Sequence, residues 1–254
     1  MDRHVLVLDS KAELIRSVGE RIARTLVRVL AAQESAHIVL TGGSVGIGVL
    51  EAFRDAPAIA EIDFSRVHVW WGDERWVPAG HSDRNDRGAD DALLSHVSIP
   101  VSQIHRCDGS DAGFTLEESA ARYAAELRRF AAPGRDLPHF DLLLLGVGPD
   151  GHIASLFPDR ADLIDSDQAA LAVRQSPKPP SERISMSLDT INSAERVWMA
   201  LAGADKAPAL GLALAGASKY QVPASAARGT RRTVFFVDVE AAAEVPAELI
   251  AREY

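Results

Sequence analysis

The chain reads as an α/β protein on two observations. Short apolar runs alternate with segments of helical period along its length, and two of those runs end in glycine-rich turns. The runs are His4–Leu8, His37–Leu40, Val67–Trp71, Phe140–Leu145, Ala170–Val173, Ile184–Leu188, Arg196–Leu201 and Thr233–Val239, each predicting a buried strand. Between the first two, Leu14, Ile15, Val18, Ile22, Leu26, Val29 and Leu30 recur at spacings of three and four, with Glu and Arg on the other face. That pattern is an amphipathic helix, expected to cross between parallel strands. Thr115-Leu116-Glu117-Glu118 is a capping box ahead of Tyr123, Leu127 and Phe130, and predicts a helix before the strand at Phe140. Further helices are expected around Ala89–His96, Ala204–Ala215 and Pro246–Tyr254. Ser176–Ser181 is a loop, because its prolines withdraw N–H donors and bias each preceding residue to extended geometry. No repeat and no shift in composition marks a linker, so one domain over residues 1–254 is expected.

Composition narrows the function. With 254 residues, 47% of them hydrophobic, the chain can bury a full core, which excludes a mainly disordered protein. Its one cysteine, Cys107, allows neither an intramolecular disulfide nor a multi-cysteine metal cluster, and suits a reducing compartment; a cytoplasmic location is expected. The amino terminus meets an acid too soon for a signal sequence, and no apolar run reaches the ~20 residues of a membrane span. A net charge of −9 repels nucleic acid, so any anionic ligand must be held by a local collection of cations and amides.

Four segments could carry chemistry. His37–Gly46 is a strand running into Thr41-Gly42-Gly43-Ser44 and then a helix, which is either a tight connection or an anion site made of helix-terminal N–H groups. Gly42–Gly46 also fits G-x-S-x-G, the nucleophile elbow, but that fold needs a late histidine and none follows His152. Gly146-Val147-Gly148-Pro149-Asp150-Gly151 fits G-x-G-x-x-G, yet Pro158 stops any helix from Gly151 too early for a dinucleotide unit. The turn instead predicts Asp150 and His152 at a strand's carboxyl end and a short helix's amino end, where the helix dipole would keep the imidazole neutral and able to accept a proton. Trp71–Pro78 sets Asp73, Glu74 and Arg75 directly after an apolar strand, which predicts a polar cleft, since burying them unpaired would cost several kcal/mol each. Arg183 opens a strand and Lys206 a helix; beside the Gly42–Ser44 turn they would complete a phosphosugar pocket. The stretch His81–Gly88 is not a calcium loop, because Arg87 and Leu94 occupy ligand positions, and no other spacing calls for a metal.

Taken in order, Thr41–Ser44, Gly72–Pro78, Gly146–Pro158 and Pro177–Ser185 resemble the signature segments of the 6-phosphogluconolactonases of the pentose phosphate pathway, relatives of the glucosamine-6-phosphate deaminases. The resemblance implies an open, mainly parallel sheet with helices on both faces, Rossmann-like and of the NagB type. It also implies hydrolysis of 6-phospho-D-glucono-1,5-lactone with neither metal nor organic cofactor, by a monomer or homodimer whose partner is its small-molecule substrate. By matching positions, His152 would be the general base, Asp150 its neighbour, and Arg75 and Arg183 cationic contacts. The chemistry fits: His152 would deprotonate water and Arg75 stabilise the oxyanion, while Gly42, Gly43, Ser44, Arg183 and Lys206 hold the phosphate and Asp73 and Asn85 line the substrate site. Two departures stand out. Arg84 precedes Asn85 where many members have Ser, so it either adds a phosphate contact or faces solvent. Phe157 stands before Pro158 where the deaminases have an acid, which ranks deamination second. A non-catalytic phosphosugar sensor ranks last, because no basic DNA-binding appendage is present.

Overall fold

The computed structural model describes residues 3–251. Its elements run β1 (Arg3–Leu8), α1 (Lys11–Ala32), β2 (Ala36–Leu40), α2 (Gly43–Arg54), β3 (Val67–Trp71), β4 (Asp73–Arg75), α3 (Asn85–Ala92), α4 (Leu116–Arg129) and β5 (Leu142–Gly146). They continue as α5 (Ala161–Ile164), β6 (Ala170–Val173), β7 (Arg183–Met186), α6 (Leu188–Asn192), β8 (Arg196–Leu201), α7 (Ala207–Leu214) and β9 (Arg232–Asp238).

Six strands form a parallel sheet in the order β1-β9-β8-β5-β2-β3. Alternation along each strand splits the core in two. Val39, Trp70, Leu143, Leu145, Met199 and Phe235 face one layer with Leu116 and Leu127 of α4 and Leu210 of α7. Ile38, Leu40, Trp71, Leu144, Trp198 and Phe236 face the other, with Leu14, Ile22 and Leu26 of α1 and Leu50 of α2. Helices therefore cover both faces, as a parallel sheet requires. Each fully buried Leu, Ile or Phe contributes about 1.5–3 kcal/mol, so these two layers dominate the stability. α1 starts where Ser10 accepts the Glu13 N–H at 3.2 Å, and Thr115 and Glu118 complete the capping box of α4.

Three expectations need correction. β6 and β7 leave the main sheet and pair antiparallel with each other, and β7 pairs antiparallel on its other side with β4, a strand whose charged composition hid it. The connection from residue 174 to 182 accommodates an antiparallel return but not the crossover that parallel pairing demands. The helix around Ala89–His96 begins earlier, at Asn85, and ends at Ala92, with a separate 3-10 turn at Leu94–His96. No helix fills Pro246–Tyr254 within the described residues: a 3-10 turn spans Ala247–Leu249, and Ile250 bridges to Val5, satisfying part of the open edge of β1. Residues 252–254 of that expectation lie outside the described residues. No helix of the described residues is long and apolar enough to cross a membrane.

Candidate active site

The chain leaves β2 for β3 on one side and β5 for β8 and β9 on the other, so the connections diverge between β2 and β5. Such a switch point opens a crevice at the carboxyl ends of the strands, where ligands bind in open α/β sheets. Thr41 follows β2 there, and its hydroxyl accepts the Gly146 N–H of β5 at 3.3 Å. A cleft of about 280 Å³ lies over this crevice; Gly42, Gly43, Arg75, His152, Lys178 and Lys206 are among the residues lining it. The ends of β2, β3, β5 and β8 thus bring together segments far apart in the chain.

His152 sits on a turn and not on a helix. Gly148 N–H donates to the His152 carbonyl at 2.9 Å, Val147 bridges Ile153, and the next helix, α5, starts only at Ala161. Gly151 and Ala154 hold positive φ (82° and 47°), which a helix does not tolerate, so the expected dipole at the imidazole is absent. What orients the ring is Asp150, whose Oδ1 lies 2.5 Å from Nδ1. Burial favours the neutral carboxyl, but the hydrogen bond and charge of His152, with Lys178 at 4.0 Å, outweigh it and hold Asp150 at about 2. An ionised carboxylate only accepts, so Nδ1 carries the proton and Nε2 is the ring's acceptor. Phe157 packs against the ring, centroids 4.8 Å apart. Gly148 is required: a Cβ there would fall 2.0 Å from Nδ1.

Asp73 and Glu74 hold the frame. Asp73 accepts the Ser155 hydroxyl at 2.7 Å and faces Arg183 at 3.8 Å, joining the His152 turn to β7. Glu74 is 1% exposed and accepts the N–H groups of Arg75 and Asn85 at 2.7 Å and of Asp86 at 2.8 Å. Burial and the Asp86 carboxylate push it up to about 7 against the opposing pull of Arg84 and the amides. Arg84 neither reaches the cleft nor faces solvent: it forks onto Asp86 with two 2.8 Å bonds and donates to the Cys107 carbonyl at 2.7 Å. Arg75 lines the cleft and is pinned by the Asp83 carbonyl at 2.7 Å.

The remaining expected residues divide. Gly42 and Gly43 line the cleft at the start of α2, where no side chain caps the first-turn N–H groups; any Cβ on Gly42 would strike Asn85 Oδ1 at 1.8 Å. Asn85 lines the cleft but commits its amide to the Asp73 carbonyl at 2.8 Å. Arg183 also lines it, yet its guanidinium is spent on the carbonyls of Lys178, Pro179 and Pro180 at 3.0, 3.4 and 3.2 Å, so its main work is to hold the proline loop. Burial, more than its neighbours, lowers its pKa. Ser44 is exposed, takes a 3.3 Å hydrogen bond from Lys11 and is absent from the described lining, which removes the nucleophile reading. Thr41, Ala154 and Lys178 line the cleft without having been given a role of their own; each stood within a recognised segment, but nothing in a proline loop shows which way Lys178 turns.

Fold and cleft together define an α/β protein with an anion-receptive pocket beside a histidine–carboxylate pair. The model described as "Glucosamine-6-phosphate isomerases/6-phosphogluconolactonase" matches residues 9–236, and the chain belongs to this family of enzymes. It is 42% identical over 249 residues to the 6-phosphogluconolactonase of Mycobacterium leprae, covering 97% of this chain and 100% of that one. It is also 42% identical over 253 residues to that of Streptomyces coelicolor, covering 98% and 97%. The crystal structure of the 6-phosphogluconolactonase from Thermotoga maritima superposes with a TM-score of 0.81 at 26% identity, covering 93% of this chain and 100% of that one.

Proposed function

We propose that the chain hydrolyses 6-phospho-D-glucono-1,5-lactone to 6-phospho-D-gluconate, as a single catalytic unit in the cytoplasm and without a metal. One observation carries the reading: an imidazole with its acceptor nitrogen free of Asp150 shares a cleft with uncapped helix amides and Lys206. The amides of Gly42 and Gly43 with Lys206 take the phosphate, which anchors the far end of the sugar and sets C1 over His152. His152 Nε2 removes a proton from water as its oxygen bonds to C1, and Arg75 offsets the charge on the carbonyl oxygen. The tetrahedral centre then releases the ring oxygen, which takes the proton back from the imidazolium; the C1–O bond breaks and the open acid leaves. Asp150 keeps the ring oriented and stabilises its charged form. Phe157, 1% exposed and packed on the imidazole, occupies the place where deamination would need a carboxylate.

The test is pH-stat hydrolysis of freshly made lactone with and without a chelator, with glucosamine 6-phosphate assayed for ammonia in parallel. Acid release above the spontaneous rate, unaffected by chelation, is expected. Ammonia release without acceleration of lactone opening would overturn the reading.

A further inference from the structure

At the opposite end of the sheet, where the strands begin, six arginines surround a cavity of about 450 Å³. Arg21, Arg24 and Arg28 come from successive turns of α1, Arg196 opens β8, and Arg231 and Arg232 lead into β9. Glu61 is the one carboxylate among the described lining residues, in a chain whose net charge is −9. A second cavity of about 260 Å³ shares Thr25, Arg28, Arg196 and Arg231 with it and is also lined by the Glu195 carboxylate, which leaves the larger cavity the more basic of the two. From the lining of that second cavity Glu195 takes Arg196 at 3.0 Å and Arg231 at 2.8 Å, and on α1 Glu20 takes Arg24 at 3.6 Å.

Concentrating like charge in this way works against folding unless something compensates it, since like-charged neighbours one helical turn apart repel. Arg21, Arg231 and Arg232 have further partners of their own. A guanidinium, however, has five N–H donors in a planar fork, so a contact on one edge is compatible with a phosphate on another. The volume falls within the roughly 300–1,000 Å³ of small-metabolite sites, more than a lone anion needs. Apolar surface from Val27 and Ala58 would lie against the body of such a ligand.

We propose that the larger cavity is a second binding site, for a small metabolite bearing two phosphate groups, held between the arginines of α1 and those that open β8 and β9. It is separate from the cleft, because β8 alone puts about 17 Å between Arg196 and the strand's carboxyl end. Nor does it depend on what the cleft hydrolyses.

Isothermal titration of the full chain with pyrophosphate, ADP, fructose 1,6-bisphosphate and inorganic phosphate, at near-physiological salt, tests it. At least one of the first three should bind at one site and more tightly than inorganic phosphate; which one binds best tells a bare diphosphate from a nucleotide or a sugar. Arg24→Glu with Arg28→Glu should weaken that binding by at least about tenfold, and the milder Arg24→Gln with Arg28→Gln serves if the first pair folds poorly. The charge-matched pair Arg122→Glu and Arg129→Glu, and Lys206→Ala in the cleft, should change it less than about twofold. No binding by any of the three, equal binding of inorganic phosphate, equal weakening by the Arg122/Arg129 pair, or loss confined to Lys206→Ala would each overturn the proposal.

Discussion

Two charged motifs follow neighbouring regions of the sheet, and they end in opposite circumstances. Asp73-Glu74 leaves β3 and turns inward, with Asp73 at the wall of the cleft and Glu74 behind it, saturated by backbone N–H donors and pushed up to about 7. Asp150-Gly151-His152 leaves β5 on a turn open to the cleft, with its carboxyl held at about 2. Written as sequence, both are acids beside a basic residue at a strand end. Burial and hydrogen bonding separate them: the first pair organises Arg75 and Asn85, and the second, on the mechanism proposed above, exchanges a proton with water.

The sharpest way to break this contrast is His152→Ala, which should lower kcat by roughly 10³-fold while phosphosugar binding survives, as general-base loss predicts. Activity near wild type would move the chemistry elsewhere. Asp150→Asn should follow with a loss of roughly 10²-fold in kcat and little change in KM, because an amide can impose the wrong ring tautomer; a KM effect alone would make Asp150 a substrate contact. Glu74→Ala should act on stability instead, costing about 3 kcal/mol in denaturant unfolding by stranding buried N–H groups and Arg84. If that variant stayed stable but lost kcat as steeply as His152→Ala, the division of labour proposed here would fail.

A third region adds a pH dependence. His37 and His68 stack at 4.4 Å on one side of the sheet, and His68 meets His105 at 3.0 Å. Burial first, then the neighbouring imidazoles, lowers His37 to about 3 and His68 to about 4 from 6.5. The unfolded chain therefore binds the extra protons: the stability these residues contribute is complete above pH 6.5 and is lost as pH falls through 4 to 3. Glu74, raised from 4.5 to about 7, has the opposite sign, its contribution being complete below 4.5 and lost as pH rises through 7. The Tm of His37→Gln should accordingly fall less than that of wild type between pH 6.5 and 4; parallel curves would refute the assignment. The smallest effect is expected from Ser44→Ala, a change of less than about twofold in kcat/KM, since it removes only a surface hydroxyl bonded to Lys11.

Much of the fold was readable because period alone specifies it. Every apolar run named from the sequence overlaps a strand in the structure, although Leu188 already belongs to α6, and the α1 stripe of Leu14, Val18, Ile22 and Leu26 is buried as its spacing requires. β4 was not readable, because Asp-Glu-Arg has no apolar signal and becomes a strand only by pairing with β7. That His152, Arg75 and the Gly42 turn would meet at one crevice was legible from their places after strands. The duties of Arg84, Arg183 and Asn85 were not, since an exposed and a buried guanidinium or amide look alike until their partners are known.

By itself the order of residues determined the class of fold, the carboxyl-end location of the cleft and the family, because periodicity and local turn chemistry act over a few neighbours at a time. Only tertiary packing decided which charges meet solvent and which meet one another. Those outcomes depend on contacts such as Asp73 with Ser155 and Glu74 with Asn85, which exist only once distant segments share one crevice. The same is true of the arginines at the far end of the sheet, separated in the chain and gathered by the strands they begin.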